Sequence, residues 1–218
     1  MSNYSSARSP LVLDLESCGL DNAAEYLEPV TAAKNLKDPA KVQADIEQRT
    51  ADRLDKLALD YNVGRIAALG WWTEDDGLVV LCCPTEAEER DAITQFWEAQ
   101  RQRTIIGFNL KSFDLRYLIQ RSRYLDIPYP QLNLSKYSGD GIVDLFLDLT
   151  FGDGTYDQGA MRRTLSAFCR RFGIPVEDTT SGKDIPAFVA AGDWDSVLSH
   201  LSSDVLLTKA LAERLGVL

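Results

Sequence analysis

The stretch Leu11-Val12-Leu13-Asp14-Leu15-Glu16 sets two carboxylates at alternate positions inside an apolar run. Residues i and i+2 of a β-strand face the same side, so Asp14 and Glu16 project together while Leu13 and Leu15 face a core. Two like charges on one strand face repel, and each raises the other's pKa unless something positive compensates. Hard divalent cations such as Mg2+ and Mn2+ take oxygen ligands and supply that compensation. A solvent-facing edge strand with two exposed acids gives the same local pattern. Pro10 precedes the run, and Ser17-Cys18-Gly19 reads as the turn that ends it.

Two further acidic positions bear on the choice. Gly107-Phe108-Asn109-Leu110-Lys111-Ser112-Phe113-Asp114-Leu115 leads from a strand expected over 104–108 into a helix expected over 112–124. Asp114 then lies at the carboxyl end of a strand, where open α/β sheets place their ligands, although the helix dipole alone also favours a first-turn acid. Asn109 is spaced to hydrogen-bond across the turn or to a sugar. The only histidine, His200, stands four residues before Asp204. On a helix such a pair shares one face. Val197, Leu198, Leu201, Val205, Leu206 and Leu207 make that helix too apolar for general exposure, so its acid is expected to face a polar cleft.

Around these motifs the chain alternates. Residues 38–59, with Pro39 near the start, predict a helix with apolar positions Val42, Ile46, Leu54, Leu57 and Leu59. Residues 65–72 and 77–83, joined by Thr73-Glu74-Asp75-Asp76, predict a hairpin. Thr85 is an N-cap for a helix running to Arg101, with Glu88 completing a capping box. Pro128 and Pro130 break the chain. Residues 141–149 read as β-like between the glycine-rich loops Ser138-Gly139-Asp140-Gly141 and Gly152-Asp153-Gly154. Helices are expected at about 159–172, 184–191 and 193–215. A strand, a hairpin, then strands alternating with helices predict a mixed α/β sheet. The 218 residues are expected to form one domain, with residues 21–60 a helical insertion between the first two strands.

Composition narrows the function. No run approaches the ~20 apolar residues of a membrane span, residues 1–10 lack a secretory apolar segment, and Cys18, Cys82, Cys83 and Cys169 show no metal or redox spacing. A reducing cytoplasm and no membrane partner are expected. The net charge of −10, from 33 acids against 23 bases, argues against a broad duplex-binding surface. It is compatible with a cleft that holds a few nucleotides.

The three motifs in this order resemble the DEDD (DnaQ-like) superfamily of 3′–5′ exonucleases. They are Leu13-Asp14-Leu15-Glu16, Gly107-Phe108-Asn109 through Phe113-Asp114, and His200 through Asp204. The resemblance spans residues 11–215 and is nearest to predicted exonucleases related to the proofreading domain of family B DNA polymerases. Further echoes are Asn35-Leu36-Lys37-Asp38-Pro39, Gly64-Arg65-Ile66 and Ser181-Gly182-Lys183-Asp184. In one respect the chain departs from the family. Tyrosine-type members leave three residues before the last aspartate and histidine-type members four, and this chain puts histidine at the tyrosine spacing.

The resemblance implies a ribonuclease H-like, mixed five-stranded sheet flanked by helices, and two Mg2+ or Mn2+ ions ~3.5–4 Å apart. It implies that Asp14 bridges both ions, that Glu16 and Asp204 hold the ion that activates water, and that Asp114 serves the ion at the leaving oxygen. His200, or a neighbour such as Ser199, would accept that water's proton or orient it. Leu15, Ser17, Phe108, Asn109 and Lys183 are candidate substrate contacts. The implied substrate is the 3′ end of single-stranded DNA or RNA, with DNA favoured, and the implied protein partner is one of replication, repair or other nucleic-acid processing. The rival reading is a catalytically silent nucleic-acid-binding or scaffold subunit that retains the fold.

Overall fold

A computed structural model describes residues 9–136, 141–155 and 160–218. Its sheet contains β1 (Leu11–Gly19), β2 (Gly64–Thr73), β3 (Gly77–Cys82), β4 (Ile105–Gly107) and β5 (Ile142–Asp144), in the order β3-β2-β1-β4-β5. β2 runs antiparallel to both its neighbours, while β1, β4 and β5 are mutually parallel. Helices flank the sheet: α1 (Pro39–Leu54), α2 (Glu86–Gln100), α3 (Asp114–Tyr124), α4 (Leu145–Leu149), α5 (Leu165–Arg171), α6 (Ile185–Ala191) and α7 (Trp194–Leu215). This is the ribonuclease H-like α/β arrangement expected. Among the described residues no helix is long and apolar enough to cross a membrane.

β1 has a core on each face. Leu11, Leu13 and Leu15 pack with Phe96 and Trp97 of α2 and with Leu115 and Leu118 of α3. Val12 joins Ile106 in the opposite core, against Phe168 of α5 and Val197, Leu201 and Val205 of α7. Asp14 and Glu16 continue the Val12 face, toward α7. Gly70, paired with Asp14 across β1 and β2, lets that helix come close. A Cβ there would meet Leu201 Cγ at 3.0 Å and Val205 Cγ2 at 3.1 Å.

The far face is clipped by charge. Arg121 of α3 donates from Nε and Nη2 to the two carboxylate oxygens of the fully buried Glu89 of α2, both at 2.8 Å. Glu89 Oε1 also accepts from the Ile66 main-chain N–H of β2 at 2.8 Å. The Thr85–Glu88 capping box forms as expected. Between β1 and β2 lies the helical insertion: α1, capped by Asp38, between short 3-10 turns at Ala23–Tyr26 and Leu57–Leu59.

Four local expectations change. Ser17-Cys18-Gly19 is strand, because β2 extends back to Gly64 and pairs with it; the register shifts between Glu16 and Ser17. The helix expected over 38–59 stops at Leu54 and resumes only as a 3-10 turn. Residues 141–149 divide after three strand residues, because the Asp144 side chain accepts from Phe146 and Leu147 N–H and starts α4. The helix expected from residue 159 begins at Leu165, capped by the Thr164 hydroxyl, which accepts from Ala167 N–H. Residues 1–8, 137–140 and 156–159 lie outside the described residues, and with them most of the N-terminal stretch, most of the first glycine-rich loop and the expected start of that helix.

Candidate metal centre

β1, the start of α3 and the middle of α7 meet at a cleft of about 750 Å3. Asp14 and Glu16 come from β1 by strand alternation. Asp114 is the first residue of α3, just past the end of β4. His200 and Asp204 project from one face of α7, with His200 Nε2 lying 3.5 Å from Glu16 Oε1 and 3.8 Å from Asp204 Oδ2. Glu16, His200 and Asp204 offer ligand atoms within 4.8 Å of one another, close enough to share one cation. A hollow of similar size lies between residues 27–31 and α1, but its acids are mixed with Arg49, Arg53 and Lys56.

The cluster is electrostatically costly as it stands. Burial pushes Asp14 well above the usual carboxylate range, and Asp114, Asp204 and Glu16 push it further. Burial does the same to Glu16, followed by Asp204, Asp114 and Asp178. Asp114 is pushed up to about 8, chiefly by burial; the main-chain amides of Asp114 and Leu15 oppose this and the Asp144 charge adds to it. Burial also raises Asp204, against the pull of His200. What raises Asp14 and Glu16 is burial and the charge of neighbouring carboxylates, opposed on Asp14 by the Leu15 main chain. A set of hard oxygen donors under that repulsion fits divalent cations of the Mg2+ or Mn2+ type.

Two acids outside the expected set support the site. Asp178, in the segment between α5 and α6, lies 2.6 Å through Oδ2 from His200 Nδ1. Buried Asp144 ends β5, and its carboxylate accepts from Asn109 and Lys111 N–H, each at 3.0 Å. That bond holds the turn before Asp114, in which Asn109 takes φ = +65° and its carbonyl accepts from Ser112 and Phe113 N–H. Strand-end placement, the signal that exposed Asp114, applies equally to Ile142-Val143-Asp144. For Asp178 the available signal was alternation, Ile174-x-Val176-x-Asp178.

Of the candidate substrate contacts, Leu15, Phe108, Asn109 and Lys183 line the cleft. The Leu15 side chain lies in the opposite core, so only its main chain faces the cleft. Phe108 is half-buried, packing on Phe146 and Phe168 at ring separations of 5.3 and 6.0 Å. Ser17 is a correction. Because β1 continues as strand, Ser17 alternates to the face away from Glu16, where its hydroxyl donates to the Ala58 carbonyl at 2.5 Å. Exposed Arg162 and Arg170, unremarked in the sequence, join Lys183 in lining the cleft.

Fold and site together make this a ribonuclease H-like α/β protein with an acid-lined cleft. No protein-family model matches the sequence, and no curated protein matches it. Among solved structures it is similar to the family B DNA polymerase of the hyperthermophilic archaeon Pyrobaculum calidifontis, with a TM-score of 0.60 at 17% identity. The match covers 99% of this chain and 25% of the polymerase chain. This chain thus spans about a quarter of that polymerase's length, and the likeness is one of fold.

Proposed function

We propose that this chain is a DEDD-type 3′–5′ exonuclease that removes nucleotides from the 3′ end of single-stranded nucleic acid, DNA favoured over RNA. The supporting observation is the convergence of Asp14, Glu16, Asp114 and Asp204, drawn from three distant parts of the sequence, in one cleft beside His200. Two bound Mg2+ or Mn2+ ions, held by those four carboxylates, would neutralise charge on the phosphate and acidify the attacking water. The remaining work falls to the protein. Arg162, Arg170 and Lys183 supply positive charge for the phosphates of an entering strand. The Phe108 ring and the Asn109 side chain offer a stacking face and a sugar contact. His200 Nε2, directed at Glu16 and Asp204, is placed to take a proton from the attacking water. A bond forms from water oxygen to phosphorus as the bond to the neighbouring 3′ oxygen breaks, freeing a nucleoside 5′-monophosphate. The acidic exterior suits a protein that holds a short single strand rather than gripping duplex.

The test uses 5′-labelled single-stranded DNA and RNA oligonucleotides incubated with the purified chain in Mn2+, Mg2+ or EDTA. A ladder shortening from the 3′ end is expected with metal. It should vanish with EDTA and fall at least ~100-fold in Asp114→Ala, in which a ligand is lost outright. Oligonucleotides that are bound but left intact under every metal condition would sink this reading and leave the silent-subunit alternative.

A further inference from the structure

We propose that Asp178 is the positioning residue of this site. Its carboxylate accepts from the Nδ1–H of His200 and thereby turns an unprotonated Nε2 toward Glu16 and Asp204.

The segment that carries Asp178 is anchored from both ends. Its burial alternates from Ile174 to Thr180, and Ile174 and Val176 pack into the core beneath α7. Alternation then brings Asp178 to the same side, against the helix. Oδ1 of Asp178 accepts from Thr180 N–H at 2.8 Å, which fixes the carboxylate and leaves Oδ2 2.6 Å from Nδ1. Burial works to raise its pKa, but hydrogen bonds from His200 and Thr180 outweigh that and hold it below the usual carboxylate range. An ionised carboxylate only accepts, so the ring nitrogen facing it carries the hydrogen. In the neutral ring the other nitrogen then has a bare lone pair. That lone pair lies 3.5 Å from one carboxylate oxygen and 3.8 Å from another. When cations ionise both carboxylates, that lone pair is placed to accept from a water held between them. A carboxylate behind the imidazole that serves such a centre is the arrangement that fixes tautomer and ring orientation.

The kinetic consequence rests on the exonuclease reading, whereas the tautomer can be measured without metal or substrate. Because His200 is the only histidine, 15N-histidine labelling gives signals from a single imidazole, and two-bond 1H–15N correlations tell Nδ1–H from Nε2–H. In the metal-free wild type at a pH where the ring is neutral, Nδ1–H is expected. Asp178→Asn keeps an oxygen for Thr180 but offers His200 an N–H donor, so the tautomer should invert. Turnover should then drop at least ~10-fold, with KM for the oligonucleotide within about twofold. The loss should equal that of His200→Ala, and the double variant should be no slower than either single one.

A wild-type ring bearing Nε2–H, or a spectrum unchanged by both Asp178→Asn and Asp178→Ala, overturns the proposal. So does a loss carried in KM, or a double variant a further ~10-fold slower. If the wild type shows no nuclease activity, the exonuclease reading fails, and the tautomer still decides the role of Asp178.

Discussion

Thr208 stands one turn beyond Asp204 on α7, and its hydroxyl is the only buried side-chain oxygen or nitrogen without a hydrogen-bond partner among the described residues. A buried group left unpaired costs more than the same volume of hydrocarbon, and valine keeps the branched shape without the hydroxyl. Thr208→Val should therefore stabilise the protein by about 1 kcal/mol, or about 2–4 °C in Tm. Urea denaturation checks it, and a destabilised variant would mean that the hydroxyl has a partner. At this scale Asp14 and Glu16 are legible through an i, i+2 period and Asp204 through its i, i+4 pairing with His200. Asp114 is legible only through its place after a strand end. Ser17 lies away from the cleft because β1 runs on through Gly19 instead of turning at Ser17. Asp178 meets its partner 22 residues away, across α6, a pairing outside any local period.

Whole elements are joined by contacts that no local period announces. The buried Glu89–Arg121 pair ties α2 to α3, and the Ile66 amide adds β2. In the sequence Glu89 is one of several acids in Glu86-Ala87-Glu88-Glu89-Arg90-Asp91, a run that reads as solvated surface. Only its place on the inner face of α2 separates it from Glu88, which caps the helix. Removing one partner of such a pair strands a buried charge, so Glu89→Ala should cost about 3–5 kcal/mol. Chemical denaturation will show this as a lower midpoint. A loss below ~1 kcal/mol would mean that water reaches Arg121 once the carboxylate is gone. The order of strands and helices was legible because periods of 2 and 3.6 alternate cleanly along most of the chain. The errors cluster at caps, where a single side chain ends one element and starts the next. Asp144 does so between β5 and α4, and Thr164 at the start of α5.

For the molecule as a whole, the acid cluster couples folding to pH and to metal. In an unfolded chain these carboxyls lose their protons near pH 4. In the metal-free native state Asp114 holds its proton up to about 8, and Asp14, Glu16 and Asp204 are raised with it. Between those limits the native state binds more protons than the unfolded one, so stability falls as pH rises through the window. Asp178 is shifted down and works in the opposite sense, but its contribution is complete by about pH 5. In EDTA the Tm should therefore decline from pH 5.5 to 8.5, in steps read by calorimetry. Cations bound only by the native state replace those protons and add stability that grows with their concentration. Mn2+ at millimolar concentration should accordingly flatten the decline and give its largest rise in Tm at the alkaline end. Replacing Asp14 and Asp114 together by asparagine removes two of the opposing charges, and should weaken both the decline and the response to Mn2+. A Tm in EDTA that climbs across this range, or one that Mn2+ leaves unmoved at pH 8.5, would show that the four acids do not form a repelling cluster that takes up cations.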